Sequence, residues 1–262
     1  MITAAYERGY TMRLCVAIPC FFGKKDFCDA LRKVRELGFD AAETYNWRTL
    51  DLPRVRATIE ETGVELLSMC TTDFRLTVPA AREAYLTGLR ESCKAAAALG
   101  VRRLITQGGP DTGEERAVQH AAMVETLKAC HPILEHYGVT LMLEPLNTRV
   151  NHPGVYLWSS EEAFDLVREV ESPYTKVIYD IYHQQIMEGN ILSGIKNHLP
   201  LIAHLHAAGS DGRHELWLGE NDYRYIFDQI DAAGYTGACG LEYSPTLPPI
   251  ESLIAAKARY GA

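Results

Sequence analysis

Short apolar runs alternate with longer amphipathic stretches along most of the chain. The short runs are rich in Leu, Ile, Val and Ala, a composition typical of strands that are buried on both faces. Eight such runs predict eight strands, at residues 14–18, 41–45, 65–69, 103–106, 140–144, 176–180, 202–206 and 238–242.

The stretches between these runs carry apolar residues at helical spacing and predict eight helices. We place the helices at residues 27–37, 53–62, 79–99, 114–137, 161–169, 184–198, 223–233 and 250–259. Glycine commonly ends a helix because it tolerates positive φ. Five of the predicted helices are followed directly by glycine, at Gly38, Gly63, Gly100, Gly138 and Gly234.

The eight strand–helix units predict the fold class. In a chain of 262 residues each unit has about 33 residues, the size of a βα module. The alternation contains no linker or low-complexity stretch, so we predict one α/β domain spanning residues 1–262, a closed (β/α)8 TIM barrel. An open Rossmann-like sheet is the alternative, but residues 19–23 (PCFFG) match neither a dinucleotide-binding nor a P-loop motif.

Composition and charge narrow the classes of protein that fit this pattern. Apolar residues make up 47% and charged residues 23% of the chain, which argues against disorder. No apolar run reaches the roughly 18–20 residues that cross a membrane. The net charge of −8 opposes binding to nucleic acid or to an anionic membrane. We therefore expect a small-molecule substrate as the partner and leave open whether the chain forms homo-oligomers.

Cysteine usage and the first residues bear on cellular location. The seven cysteines are scattered and form no CxxC pair, so we expect reduced, mostly buried thiols. Residues 1–12 (MITAAYERGYTM) lack an apolar stretch followed by a small-residue cleavage site, so we expect no secretory signal. Both features predict a cytoplasmic protein.

Four consecutive predicted strands, the fifth to the eighth, end in a polar residue. Functional groups of this fold lie at the carboxyl ends of the strands, and these four strands are neighbours, so their last side chains can converge. Three carboxylates would repel one another without a cation. Carboxylate and imidazole ligands suit one divalent metal ion, Mn²⁺ first, with Mg²⁺ or Co²⁺ as alternatives. The four residues are Glu144, Asp180, His206 and Glu242.

Sequence motifs around these residues resemble a known family. The motifs are residues 144–150 (EPLNTRV), 153–157 (PGVYL), 179–190 (YDIYHQQIMEGN), 212–215 (GRHE), 219–223 (GENDY) and 240–243 (GLEY). They are similar to the segments that follow strands five to eight of hydroxypyruvate isomerases. That family belongs to the xylose-isomerase-like barrels, which also contain the ketose 3-epimerases. The likeness is dense over residues 140–245 and extends to residues 38–43 (GFDAAE) of the second strand.

The resemblance implies roles for individual residues. It implies that the metal is held by Glu144, Asp180, His206 and Glu242. Glu144 and Glu242 would also act as the catalytic acid/base pair, and His183 and Arg213 would contact substrate oxygens. One position departs from the family pattern, because hydroxypyruvate isomerases tend to carry Gln where this chain has His206, whereas the ketose 3-epimerases carry His.

Further residues that follow predicted strands are candidates for a substrate pocket. Glu43, near the end of the second strand, is expected to hydrogen-bond a substrate hydroxyl. Gln107, after the fourth strand, is expected to bond the substrate as well. Trp47 and Phe22 follow the second and first strands and are expected to wall the pocket with apolar surface.

The chemistry of such a site fits proton transfer next to a carbonyl group. Moving a proton between neighbouring carbons passes through a cis-enediolate, whose charge needs a cation and whose proton needs a carboxylate base. One shuttling carboxylate gives aldose–ketose isomerisation, and two carboxylates on opposite faces of one carbon give epimerisation. We therefore expect a metal-dependent isomerase, resembling hydroxypyruvate isomerase, that acts on a small sugar or hydroxy-keto acid.

Four other functions stay open at this point. A ketose 3-epimerase of the tagatose/psicose type is favoured by His206, and a keto-inositol or dehydroshikimate dehydratase would use the same metal and acid/base groups. An abasic-site endonuclease would need several metals, more histidine ligands and a basic surface, which the net charge of −8 opposes. A non-catalytic sugar-binding barrel would be distinguished by the absence of bound metal.

Overall fold

All eight predicted strands form, and they close into a parallel barrel. The computed structural model describes residues 10–261, so the expectation about a secretory signal falls mostly outside the described part. Each strand pairs with the next along the chain, and the eighth pairs with the first. The strands are β1 (Arg13–Ala17), β2 (Ala41–Thr44), β3 (Glu65–Cys70), β4 (Arg103–Gln107), β5 (Thr140–Glu144), β6 (Thr175–Asp180), β7 (Ile202–Ala207) and β8 (Ala238–Leu241). The prediction of a closed (β/α)8 barrel is therefore confirmed, and the alternative prediction of an open Rossmann-like sheet is wrong.

Helices surround the barrel and connect successive strands. They are α1 (Ile18–Phe22), α2 (Phe27–Glu36), α3 (Leu52–Thr62), α4 (Arg82–Leu99), α5 (Arg116–Tyr137), α6 (Ser160–Val170), α7 (Ile181–Met187), α8 (Ile191–His198), α9 (Tyr223–Ala232) and α10 (Pro249–Tyr260). Short 3₁₀ turns at Pro79–Ala81 and Leu199–Leu201 precede α4 and β7. Within residues 10–261, none of the helices is both long and apolar enough to cross a membrane.

Capping residues explain where several of the helices begin and end. The carboxylates of Asp26 and Asp51 begin α2 and α3 by accepting hydrogen bonds from backbone N–H groups of the first turn. Gly63 and Gly100 end α3 and α4 at φ values of 67° and 79°, in the left-handed region that glycine enters without strain. Both helices therefore end directly before the glycines that the sequence pattern predicts as their ends.

The structure differs from the predicted elements in two places. One continuous helix is predicted over residues 184–198, but the chain forms α7 and α8 with a break between them. Gly189 and Asn190 lie in the break at φ values of 65° and 50°, which do not continue a right-handed helix. The prediction also misses α1, because the run IPCFF directly after β1 is too short to show a helical period.

Alternation of side chains along each strand positions the polar strand ends. Met142 and Ile178, on β5 and β6, pack with Ile105 in a small buried cluster. Glu144 and Asp180 lie two residues further toward the carboxyl ends and therefore point to the same side of the strands. The polar cluster thus lies one layer above the apolar one, at the carboxyl end of the barrel.

Candidate metal centre and active-site cavity

The four polar strand ends meet at the carboxyl end of the barrel. Each side chain offers one oxygen or nitrogen atom, and these atoms all lie within 4.8 Å of one another. Asp180 and His206 are register partners on β6 and β7, whereas Glu242 directly follows β8. Three of the residues are buried and Glu242 is partly buried. Parallel strands thus bring together Glu144, Asp180, His206 and Glu242, as the sequence predicts.

His206 faces two of the carboxylates. Its Nδ1 atom lies 2.9 Å from Glu242 Oε2 and 3.7 Å from Glu144 Oε1. Within the described residues neither contact has hydrogen-bond geometry, so Nδ1 is a buried polar atom without a hydrogen-bond partner. Imidazole nitrogen among carboxylate oxygens is a donor set that a divalent cation accepts. The residues present therefore fit a metal ion.

The two glutamates of the cluster have opposite pKa shifts. Burial, opposed by His206 and reinforced by the charge of Glu242, raises the pKa of Glu144 to about 7. Burial would also raise the pKa of Glu242, but His206 and Arg213 together lower it below its usual range. Titratable pairs with shifts in opposite directions suit acid and base roles.

Arg213 supplies a fixed positive charge beside the carboxylates. Its Nη2 atom donates a hydrogen bond to Glu242 Oε2 at 2.7 Å and lies 3.5 Å from Asp180 Oδ2. The guanidinium group also lies over the ring of Tyr182, 5.2 Å from the ring centroid. The backbone of Arg213 has a φ of 58°, a region that costs energy for a residue with a Cβ atom. The loop after β7 thus holds this side chain against the metal-ligand candidates.

His183 is fully buried next to the cluster, on the first turn of α7. Its Nε2 atom lies 3.4 Å from Asp180 Oδ2, and its Nδ1 atom lies 2.6 Å from Nδ2 of Asn147. Burial, together with the nearby charge of Arg213, lowers the pKa of His183 to about 4 despite the opposing effect of Asp180. Asn147 comes from the loop after β5, and the sequence alone predicts no role for it. Its position inside the 144–150 motif is the one signal that could have indicated it.

Glu43 lies beneath the cluster and not at the cavity surface. Its side chain is fully buried, and its Oε2 atom accepts from Ser68 Oγ at 2.8 Å. The Nε2 atom of His204 lies 3.1 Å from the same oxygen, and the Nε2 atom of His206 lies 3.2 Å from Oε1. The carboxylate therefore contacts the far side of His206 and does not line the cavity, where a substrate hydroxyl would bind.

A cavity of about 460 Å³ opens onto the cluster. Trp47 forms part of its wall as expected, but Phe22 packs in the apolar core and does not line it. Asp180 is also absent from the lining, since it lies just below the cavity floor at 1% exposure. The other predicted site residues all line the cavity, and they are Gln107, Glu144, His183, His206, Arg213 and Glu242.

Most of the remaining cavity wall is not predicted from the sequence. Tyr45 and Arg48 lie after β2, and Thr71, Thr72 and Phe74 lie after β3. These residues occupy loops at the carboxyl ends of strands, where the fold rule places functional groups. The sequence pattern marks polar strand ends, and the family motifs mark His183 and Arg213, but neither signal extends to these loop residues.

Comparison with known proteins gives one family and several relatives. Residues 31–260 match the family model described as xylose isomerase-like TIM barrel. A Danio rerio protein provisionally named hydroxypyruvate isomerase is 30% identical over 249 residues, covering 89% of this chain and 90% of that protein. The hydroxypyruvate isomerase of Escherichia coli (strain K12) is 28% identical over 243 residues, covering 89% and 94% of the two chains.

Solved structures share the architecture of the chain. A Brucella melitensis protein described as AP endonuclease, family 2, superposes with a TM-score of 0.90 at 25% identity, covering 96% of this chain and 100% of that one. The D-psicose 3-epimerase of Clostridium cellulolyticum H10, solved with D-tagatose, gives a TM-score of 0.82 at 19% identity, covering 95% and 98% of the two chains. The second likeness shows the fold alone.

Proposed function

Because the chain belongs to the xylose isomerase-like TIM barrel family, we propose that it is a divalent-metal-dependent isomerase of a small hydroxy-keto acid. The proposed reaction moves a proton between two neighbouring carbons, so that a keto group and a hydroxyl group exchange places. For hydroxypyruvate the product would be 2-hydroxy-3-oxopropanoate. The observation that carries this proposal is the pair Glu144 and Glu242, whose carboxylates lie 3.7 Å and 2.9 Å from His206 Nδ1 and which both line the cavity.

Four residues would hold the metal ion, for which Mn²⁺ is our first candidate and Mg²⁺ or Co²⁺ are alternatives. A donor set of three carboxylates and one imidazole supports this choice. The cation would stabilise the negative charge that develops on the substrate oxygens. The four residues are Glu144, Asp180, His206 and Glu242.

The two glutamates would move the protons of the reaction. A carboxylate oxygen would take the proton from the hydroxyl-bearing carbon and return it to the neighbouring carbon. Both side chains project from ends of barrel strands, which hold catalytic groups more rigidly than free loops do. Because Arg213 engages Glu242 Oε2, the carboxylate of Glu144 is the less restrained of the two.

Two further side chains would bind the substrate. The guanidinium group of Arg213 carries a permanent charge at the cavity and can pair with a substrate carboxylate through two parallel hydrogen bonds. Gln107 is the register partner of Glu144 on the neighbouring strand, so its amide would bond a substrate oxygen close to the reacting carbon. A substrate that carries a carboxylate next to the reacting carbonyl fits this arrangement.

The proposal is tested with purified protein that has been stripped of metal and reloaded separately with Mn²⁺, Mg²⁺ and Co²⁺. Hydroxypyruvate, fructose, tagatose and ribulose are supplied in D₂O, and NMR detects both product formation and deuterium at the exchanging carbon. We expect turnover of hydroxypyruvate that is lost on chelation. Turnover of the ketoses alone would contradict the keto-acid proposal, and a new ultraviolet absorbance from loss of water would indicate a dehydratase.

A ketose 3-epimerase is the second candidate, and two observations favour it. The chain carries His206 at the position where the sequence resemblance assigns histidine to ketose 3-epimerases. The cavity of about 460 Å³ also lies within the roughly 300–1,000 Å³ that hold larger organic ligands. The same D₂O experiment separates the two functions, since an epimerase would exchange the proton at carbon 3 of a ketose without moving its carbonyl group.

A further inference from the structure

The side-chain amide of Asn147 has only one orientation that satisfies its surroundings. Asn147 is fully buried in the loop after β5. Its Oδ1 atom lies 3.0 Å from the backbone N–H of Val150 and 3.0 Å from that of Asn151. Backbone N–H groups only donate hydrogen bonds, so the atom that faces them is the amide oxygen. The NH₂ group must therefore lie on the opposite side.

That orientation determines which nitrogen of His183 carries the proton. The Nδ2 atom of Asn147 lies 2.6 Å from His183 Nδ1 and 2.9 Å from Asn151 Oδ1. An amide NH₂ group only donates, so His183 Nδ1 must accept. A neutral imidazole has one donor and one acceptor nitrogen, and Nε2 therefore carries the hydrogen.

The Nε2–H group lies beside one of the candidate metal ligands. His183 is fully buried and lines the cavity, and Nε2 has no hydrogen-bond partner among residues 10–261. Asp180 Oδ2 lies 3.4 Å from it and belongs to the metal-ligand candidates. If Asp180 binds the metal, its carboxylate is not available to accept from His183 Nε2–H. A substrate oxygen is then the acceptor that remains for this N–H group.

Neighbouring side chains fix both the amide and the ring. Asn151 Oδ1 accepts from Asn147 Nδ2 and also from the hydroxyl of Tyr182 at 2.9 Å. The rings of His152 and Tyr182 contact the imidazole edge to face, with centroids 5.3 Å and 5.4 Å away. Rotation of either group would break several of these contacts at once.

We propose that Asn147 is a positioning residue that locks His183 as a neutral Nε2–H donor to the substrate oxygen on which negative charge develops. A neutral imidazole donor stabilises such charge without giving up a full proton. The oxygen is the carbonyl oxygen of the hydroxy-carbonyl substrate, so this role rests on the proposed function. The tautomer itself follows from contacts within the protein and holds whatever the substrate is.

The first test reads the tautomer directly. Protein labelled with ¹⁵N-histidine and loaded with diamagnetic Mg²⁺ is studied by two-dimensional NMR, with His183→Gln identifying the His183 signals. We expect a bare Nδ1 and a protonated Nε2. A proton on Nδ1 in the wild-type protein would overturn the proposal.

The second test inverts the tautomer with the isosteric variant Asn147→Asp. One carboxylate oxygen still accepts from the backbone N–H groups of Val150 and Asn151. The other oxygen now faces His183 Nδ1 and can only accept, so it favours a proton on Nδ1. At alkaline pH, where the imidazole is neutral, we expect the proton to move to Nδ1 and kcat to fall about 100-fold, as for loss of one charge-stabilising donor. KM should change less, because the bond strengthens in the transition state.

Asn151→Asp is the matched control, since it places the same charge in the same loop and keeps an oxygen facing both Asn147 and Tyr182. We expect His183 to keep its Nε2–H tautomer in this variant. An inverted tautomer in Asn147→Asp with unchanged kcat would overturn the donor role, and an uninverted one would overturn the positioning role. If the wild-type protein turned over none of the tested substrates, the proposed function would fail while the NMR result still decided the tautomer.

Discussion

The carboxylates of the site differ in how closely a cationic or hydrogen-bonding side chain approaches them. Arg213 pairs with Glu242, and His204 and His206 contact the carboxylate of Glu43. Glu144 lacks such a close pairing and is the carboxylate whose pKa rises to about 7. Buried charges are costly unless they are paired or bind a metal, so the weaker pairing of Glu144 supports the proposal that a cation binds beside it.

Replacement of either glutamate of the proposed acid/base pair is expected to remove most activity. In Glu144→Gln and Glu242→Gln the amide cannot accept the substrate proton, so kcat should fall by roughly 10²- to 10⁴-fold. The measurement is turnover of hydroxypyruvate at saturating Mn²⁺, with circular dichroism as the check on folding. Glu135→Gln is the matched control, because Glu135 is exposed on α5. A double variant that keeps turnover would contradict the two-carboxylate mechanism.

Glu43 is expected to matter for metal binding although it does not reach the cavity. A carboxylate on the far side of a metal-binding imidazole fixes the orientation of the ring and makes its free nitrogen more basic. Glu43→Gln removes this charge from His206 and should weaken Mn²⁺ or Mg²⁺ binding about 10- to 100-fold. Competition titration with a chelating dye measures the affinity, and Glu36→Gln on the exposed face of α2 is the control. Equal metal affinity in both variants would show that the contact does not tune the ligand.

At the scale of secondary-structure elements, one buried carboxylate joins the two loops that close the site. Glu215, in the loop after β7, accepts from the backbone N–H groups of Thr246 and Leu247 beyond β8. It also accepts from the hydroxyls of Thr246 and Ser252, the latter within α10. The loop that carries Arg213 is thereby fixed to the end of the chain that carries Glu242.

Loss of the Glu215 carboxylate should destabilise the fold in a pH-dependent manner. Burial would raise the pKa of Glu215, but the N–H donors of Leu247 and Thr246 lower it below its usual value of 4.5. A lowered pKa in the folded state stabilises the protein above the unfolded-state pKa, and this contribution is lost as pH falls. Glu215→Gln should therefore lower stability by about 1–3 kcal/mol near neutral pH, with a smaller difference toward about pH 4.

Thermal melts of wild type and Glu215→Gln across this pH range provide the measurement. Glu220→Gln is the matched control, because Glu220 lies exposed in the same loop and should change stability by less than about 0.5 kcal/mol. A difference between wild type and Glu215→Gln that stays constant with pH would contradict the role of the charged carboxylate.

Elements and strand-end residues could be predicted from the sequence because their signals are local. Apolar runs, helix-ending glycines and the polar residues Glu144, Asp180 and His206 are each visible within a few positions. The contact between Asn147 and His183 joins residues 36 positions apart. It depends on the path of a loop, so no local sequence pattern predicts it. Glu43 shows a second limit of prediction from the sequence. A polar residue near a strand end is predicted to point into the barrel, but the pattern does not show whether it lies at the cavity surface or one layer below it.

At the scale of the whole molecule, the candidate metal ligands span half of the barrel wall. They come from β5, β6, β7 and the residue after β8, and β8 also closes the barrel by pairing with β1. A cation held by all four would therefore stabilise contacts between the second half of the chain and the closing seam. We expect residues 1–262 to unfold as one domain in a single cooperative transition that responds to metal.

Binding of the metal should raise the melting temperature, because a ligand that binds only the folded state stabilises it by mass action. At a free Mn²⁺ concentration of about 100 Kd the gain is about 2.7 kcal/mol, which for a chain of this size corresponds to a rise of roughly 5–10 °C. Differential scanning calorimetry with Mn²⁺, Mg²⁺ or chelator measures the shift. The double variant Glu144→Gln, Asp180→Asn keeps the shape of the site but removes two negative charges, so its melting temperature should not respond. An equal rise in this variant would place the stabilising ion elsewhere on the acidic surface, and two separate transitions in the wild-type protein would contradict a single domain.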